Sequence, residues 1–350
     1  MTERPNILFL LSDEHSYRFL SSRSRQEGGE PCHTPTLDGL VDQGAFFSEA
    51  SCQMPLCTPS RIAMLAGRHS HRAGAWNNNS ILPPQLPTFA SHLGDHRYAT
   101  CTIGKMHLGG TRQFAGFQHR PYGDFGGPCA HQFDPLSAYE AGGSRPGSDL
   151  RSRTVDAGLL QVPESQLQEA AVASESIAWL RNHRQAQPDK PWLLMASFSR
   201  PHFPLTAPQR HFSRYWPEGV NEPRITAGSG DSATHPMTQG AIAGFRTNEI
   251  EREEGLRARA AYFACVDWKS GETKWSTTEF GYGSLCAADG KLIVLGARGM
   301  LAVGKASPAG WKPKAQAQVL GGLCWTPPVL ANGNLYCRNS RGDLLCLSLK

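Results

Sequence analysis

The chain has 350 residues, with 35 Lys and Arg against 30 Asp and Glu and a formal net charge of +5. That length allows one large domain or two ordinary ones with ample core, and an apolar content of 39% with 19% charged residues describes a soluble globular chain, not a disordered one. No apolar run approaches membrane-spanning length, and ten cysteines with no C-x-x-C pair are too sparse for a disulfide scaffold and lack a zinc spacing.

The first apolar run, residues 7–11, follows Glu3, Arg4 and Pro5 and leads into Asp13 and Glu14. It is too short for a signal peptide, its flanks are wrong, and no A-x-A site follows. It is expected to be a buried parallel strand, with the cytoplasm as the default compartment and the periplasm if the true start lies upstream. Residues 36–43 read as a helix and 45–50 as a strand. Residues 59–66 read as a helix with Thr58 as N-cap and Pro59 at its first position. Residues 86–93 are expected to be helical and 98–103 to form a strand. The clearest helix covers 164–184, with Leu167, Ala170, Ala171, Ser174, Ile177 and Leu180 on one stripe. Residues 192–198 then form a strand. This alternation predicts an α/β fold with a mostly parallel sheet sandwiched by helices. Residues 108–160 and 219–247, rich in Gly, Pro, Ser and Asp, read as long loops around a site.

The charge is unevenly placed. Residues 1–265 hold 25 basic and 25 acidic residues, and 266–350 hold 10 and 5. The basic residues are 23 Arg and 2 Lys before the change, then 3 Arg and 7 Lys after it, and all 13 His precede residue 265. The scattered tail lysines are no nucleic-acid footprint. Within the tail, Asp289-Gly290-Lys291-Leu292 aligns with Asn332-Gly333-Asn334-Leu335 at an offset of 43, and Arg298-Gly299-Met300-Leu301 with Arg341-Gly342-Asp343-Leu344. A period in the low forties with hairpin turns suggests propeller blades. Residues 267–275 read as a further hairpin ending in Trp275. Two segments of different history are therefore expected, 1–264 and 265–350.

Ligand sites in α/β sheets lie beyond the carboxyl ends of the strands. Asp13 and Glu14 stand there, where they suit a hard cation or form a solvated turn. Cys57, just before a helix, would have its anionic state favoured by the helix dipole, or it is a packed apolar residue. Arg61, one turn on, could neutralise a developing anion. His69 and His71 read as surface residues.

Taken together, these residues carry a resemblance. Cys57-Thr58-Pro59-Ser60-Arg61, followed by a short apolar helix and Gly67, resembles the type I sulfatase signature C-x-P-S-R of the alkaline phosphatase superfamily. The segment from Tyr98 through Gly104, Lys105 and His107 resembles the second sulfatase signature, with Arg97 where that family usually has Gly. Residues 6–14, 34–38 and 200–204, the last containing Pro201-His202-Phe203-Pro204, resemble three further elements in family order. The resemblance covers residues 5 to about 264.

It implies that a separate formylglycine-generating enzyme oxidises Cys57 to formylglycine, whose hydrate attacks the sulfur of a sulfate monoester on a small molecule or a glycan. It also implies that Asp13 and Glu14, together with modified Cys57, hold Ca²⁺, with Mg²⁺ as the alternative; the family often has Asp or Gln in place of Glu14. Arg61 would hold the hydrate and the metal shell, Lys105 and His202 would contact sulfate and the leaving group, and His107 would act as base. The Asp-Asn or Asp-His strand that completes the family's metal site has no counterpart in the sequence, nor does the second Lys, so weakened Ca²⁺ binding and reduced turnover are expected. The tail resembles the PQQ-like quinoprotein β-propeller family over roughly two blades, too few to close a ring. The alternatives are a catalytically inactive truncated fusion and a phosphonate or phosphate ester hydrolase of the same superfamily. Neither a nucleic acid nor a membrane is expected as a partner.

Overall fold

Strand β1 (Ile7–Ser12) opens the chain and is followed by α1 (Pro35–Gln43), α2 (Cys57–Ala66), α3 (Phe89–Asp95) and β2 (Ala99–Gly104). Next come α4 (Leu150–Val155), β3 (Gly158–Leu159), α5 (Gln168–Ala186), β4 (Trp192–Phe198), β5 (Thr206–Ala207), α6 (Gln209–Phe212), α7 (Pro236–Gly244) and α8 (Arg252–Lys269). The computed structural model describes residues 4–23, 27–48, 50–124, 150–224, 234–269, 279–280, 284–288, 290–305, 307, 310–324 and 328–348. They divide into two compact units, Met1–Gly271 and Glu272–Lys350. Among them, no helix is long and apolar enough to cross a membrane.

The first unit is built on a parallel sheet in the order β1-β4-β2. Register aligns the carboxyl ends: Ser12 lies opposite Phe198, and Gly104 opposite Ser197. Alternate side chains point to opposite faces of a strand, and β4 is apolar on both. Leu193 and Met195 pack with Ile62 and Leu65 of α2 on one face, while Leu194 and Ala196 pack with Val172 of α5 on the other. This continuous apolar character belongs to a strand covered on both sides. Among the described residues β1 pairs on one side only, and its Leu8 and Leu10 are 51% and 53% exposed.

Local chemistry moved several boundaries from those expected. Helix α2 begins at Cys57, with Leu56 as N-cap and no side-chain cap; Thr58 already lies inside it. Helix α3 starts at Phe89 because Thr88 caps it in a reciprocal box with Ser91, and Pro87 ahead of Thr88 disfavours an earlier start. Residues 45–48 form no strand, and Phe46 and Phe47 are exposed there. The long helix splits into a 3₁₀ turn, Glu164–Gln166, and α5. Its buried residues are Gln168, Glu169, Val172, Ser176 and His183, so the expected stripe is rotated and Ile177 faces outward. Helix α4 lies in the first expected long loop and α7 in the second; residues 125–149 and 225–233 fall outside the described residues.

Helix α8 packs Ala260, Ala261, Phe263, Ala264 and Cys265 against Phe212 of α6 and Tyr215. It runs through the expected change at residue 265, so no hairpin begins at Asp267, and residues 270–278 of that reading lie outside the described residues. Asp267 is buried and bonded within this unit: Arg214 Nη1 lies 3.0 Å from Oδ2, and the Tyr215 hydroxyl donates to Oδ2 at 3.4 Å.

The second unit holds two antiparallel sheets. One is the meander β6 (Ser284–Ala288), β7 (Lys291–Leu295), β8 (Met300–Lys305) and β9 (Ala315–Gln318); the other is β10 (Val329–Ala331), β11 (Asn334–Arg338) and β12 (Leu344–Ser348). β7 and β11 start 43 residues apart, in agreement with the sequence repeat. Their preceding turns hold Gly290 and Gly333 at φ +66° and +74°, with Asn332 at +50°, as tight hairpin turns require. Ile293, Leu295, Leu301, Cys324, Leu335 and Cys337 form the core. The sheets close no ring among the described residues.

Candidate active site

Because the three strand ends are level, the residues just beyond them meet. Asp13 follows β1, Lys105 follows β2, and His202 lies four residues beyond β4. Gly104 is what lets β2 approach so closely. Its φ is +92°, and a Cβ there would lie 2.1 Å from the Ser197 carbonyl oxygen, which only glycine avoids. The Lys105 N–H donates to that same carbonyl at 2.9 Å.

Helix α2 is fastened to the turn after β2. The Thr58 N–H donates to Asn78 Oδ1 at 3.1 Å, and the Thr58 hydroxyl donates to the His107 carbonyl at 2.7 Å. Arg61 is buried, and its Nη1 donates to the Lys105 carbonyl at 2.6 Å and to Ser197 Oγ at 3.0 Å. Its Nη2 lies 3.7 Å from Asp13 Oδ2, and the Lys105 ammonium pairs directly with that oxygen. Cys57 Sγ lies 3.7 and 3.9 Å from the two Asp13 oxygens. His202 Nε2 is 3.5 Å from Glu14 Oε1.

Asp13, Cys57, Arg61, Lys105 and His202 are thus gathered at one point. Glu14 is turned toward His202, its backbone at φ +58°. His107 borders the cluster with φ +50°, and its Nδ1 is buried without a hydrogen-bond partner. His69 and His71 are exposed on the surface, as read from the sequence.

The electrostatics follow from burial against charge. Burial works to raise the Asp13 carboxyl, but Lys105 and Arg61 outweigh it and hold it below its usual range. Burial, then the Asp13 charge, raises Glu14. Burial also pushes the Cys57 thiol up; Lys105 opposes this and Asp13 adds to it. The anionic cysteine expected from the helix dipole is therefore not realised, and Cys57 is a thiol. Burial and Lys105 lower both His107 and His202, the latter to about 4, so both rings are neutral near pH 7.

Other residues hold the site without any local sequence signature. Asp124 accepts the Met106 N–H at 2.7 Å and the His107 N–H at 3.0 Å, and Arg120 holds it at 2.9 Å. Glu169 accepts the Arg200 backbone N–H at 3.0 Å and its Nη1 at 2.7 Å. The Ser12 hydroxyl donates to the Arg200 carbonyl at 3.1 Å, tying the end of β1 to the segment that bears His202.

The sulfatase family profile matches residues 5–268. The chain is 28% identical over 278 residues to the uncharacterized sulfatase YidJ of Escherichia coli (strain K12), covering 76% of this chain and 52% of that protein. It is 28% identical over 275 residues to a choline-sulfatase of Rhizobium meliloti (strain 1021), again covering 76% and 52%. The chain therefore spans about half the length of these relatives. In fold it resembles the phosphonate monoester hydrolase of Agrobacterium radiobacter, with a TM-score of 0.59 and 18% identity over 76% of this chain and 57% of that one. A profile match over most of the chain, on the same residues whose strand ends assemble the cluster around Cys57, establishes that this protein belongs to the sulfatase family.

Proposed function

We propose that residues 1–264 are an incomplete sulfatase catalytic domain that hydrolyses a sulfate monoester, of a small molecule or a glycan, after a formylglycine-generating enzyme has oxidised Cys57. One observation carries this reading: the Cys57 sulfur lies 3.7 Å from an Asp13 carboxylate that Lys105 and Arg61 also approach. A reactive group surrounded by fixed cations suits an anionic ester.

The roles proposed are those the family resemblance implies, and the clustering of these side chains supports them. Formylglycine at residue 57, hydrated to a diol, would supply one hydroxyl to displace the ester alcohol, which would leave with a proton, and a second hydroxyl whose proton would be given up as sulfate is released. Lys105 and Arg61 face the sulfate charge. Neutral His202 and His107 are the proton-transfer groups, His107 toward the second hydroxyl.

Asp13 and Glu14 are the residues that would hold Ca²⁺. That ion takes about six to eight oxygen ligands, and the described residues around Asp13 offer two carboxylates, one imidazole and residue 57, which would present oxygen only once oxidised. They do not fit a calcium shell, and no step is assigned to that ion; reduced turnover follows.

The fold likeness to a phosphonate monoester hydrolase supports the same chemistry on a phosphonate ester as a second reading. The short ligand set supports a catalytically inactive fusion as a third. The repeated meanders of the tail support its descent from a PQQ-like propeller.

The test is co-expression with a formylglycine-generating enzyme, the mass of the Cys57 peptide, and assays on aryl sulfate and aryl phosphonate with and without Ca²⁺. Turnover lost in Cys57→Ala supports an enzyme, and the preferred ester separates the first two readings. No turnover after full conversion would leave the inactive fusion.

A further inference from the structure

We infer that, while Cys57 is unmodified, Asp13, Cys57 and His202 form a binding site for a thiophilic divalent cation, with Zn²⁺ the ion their chemistry selects. One carboxylate oxygen, one sulfur and one imidazole nitrogen lie within 4.8 Å of one another. A mixed oxygen, sulfur and nitrogen set suits a four-coordinate zinc ion and is foreign to calcium or magnesium, which take oxygen. This inference concerns the chain before oxidation and holds whether or not the converted chain turns over an ester.

The orientation of each donor supports it. His202 Nδ1 lies 2.8 Å from the Phe203 carbonyl oxygen. A carbonyl only accepts, so Nδ1 carries the hydrogen and the Nε2 lone pair is free for a metal, the tautomer that metal-ligating histidines adopt. At Asp13, Lys105 and Arg61 pair with Oδ2, and both carboxylate oxygens lie near the Cys57 sulfur, Oδ2 at 3.7 Å and Oδ1 at 3.9 Å. Glu14 Oε1 lies 3.5 Å from His202 Nε2 but outside this three-ligand cluster, so water would be the fourth ligand. The Ser12 hydroxyl on the Arg200 carbonyl, and Glu169 on the Arg200 N–H, keep the two strand ends in register beneath these ligands.

Binding exchanges a proton for the metal. The Cys57 S–H bond breaks, its proton goes to solvent, and the sulfur bonds to Zn²⁺ with no electron transferred. A metal-bound sulfur is shielded from oxidation, so zinc occupancy and formylglycine formation exclude one another. The sulfur of unmodified Cys57 is thus what gives this pocket its affinity for a thiophilic ion.

The full chain, produced without a formylglycine-generating enzyme and stripped with a chelator, tests this by titration with Zn²⁺ alone. We expect one site of sub-micromolar Kd, proton release, and, with Co²⁺ in place of Zn²⁺, a thiolate-to-metal charge-transfer band. Cys57→Ser removes the band and His202→Ala weakens binding at least about tenfold, whereas Cys52→Ser, at an exposed thiol, changes neither. Alkylation of the unsubstituted chain followed by peptide mass needs no variant to fold: Zn²⁺ protects Cys57 and leaves Cys52 reactive. The proposal is overturned if Zn²⁺ binding is unchanged in Cys57→Ser, if Ca²⁺ binds as tightly as Zn²⁺, or if Zn²⁺ fails to protect Cys57.

Discussion

Glu169 holds Arg200 from two directions at once, accepting its backbone N–H at 3.0 Å and its guanidinium at 2.7 Å, with both side chains buried. Removing one partner leaves an uncompensated charge in the interior, which costs roughly 3–5 kcal/mol. Glu169→Ala is expected to destabilise the first unit by that order in urea unfolding. Glu169→Gln keeps an acceptor for the backbone N–H and is expected to lose less.

Lys105 makes a different kind of contact, an ion pair with Asp13 at the point where the reacting ester would bind. In the Cys57-converted chain, Lys105→Met is expected to lower kcat about 100-fold, the usual cost of losing one charge-stabilising donor. Lys105→Arg should recover little, because a guanidinium is larger and planar where an ammonium now sits. Steady-state kinetics with circular dichroism as a folding control decides it; unchanged kcat in Lys105→Met would remove this residue from the mechanism.

Asp124 acts through the backbone. It accepts the N–H groups of Met106 and His107, and Arg120 neutralises it. Each buried donor left unpaired costs about 1–3 kcal/mol, so Asp124→Ala is expected to lose a few kcal/mol. Asp124→Asn retains one acceptor oxygen and should lie between the two. Thermal and denaturant unfolding of both variants measures this ordering.

The acid limb of stability should report Asp267. Burial would raise its carboxyl, yet His211 at 3.6 Å, the Arg214 guanidinium at 3.0 Å and His33 at 3.3 Å hold it below the usual value. A carboxyl lowered by folding contributes stability above its unfolded pKa and loses it as the pH falls through the folded one. The loss therefore falls below about pH 4. Asp267→Asn should be less stable than the parent at pH 7, with the difference shrinking toward pH 3 in urea titrations.

Much of the site was legible because its residues stand just beyond strands with strong local signals. The apolar runs before Asp13 and Lys105 identified two strand ends, and the compact motif from Cys57 to Arg61 marked the start of a helix. Asp124, Glu169 and Asp267 were not legible, since each acts on residues distant in sequence through a contact that no periodicity encodes. Glu169 also explains the misplaced stripe of α5: a polar residue in its first turn is buried because Arg200 meets it. The reading of Cys57 as an anion weighed the helix dipole and could not weigh the burial that reverses it.

The exposed side of β1 has a practical consequence for the protein in the test tube. Beside Leu10 and Leu11 lie hollows of about 640 and 920 Å³, one lined by Leu37, Leu40 and Phe198, the other by Ala63, Met64 and Arg68. Among the described residues no strand pairs with the other edge of β1, and an apolar edge of this kind is a template for further strands. Concentrated preparations should therefore self-associate, a behaviour that dilution, added arginine, or a charge introduced by Leu8→Lys should suppress in light scattering. Purification yield would then be governed by six residues at the start of the chain, well before any question of turnover arises.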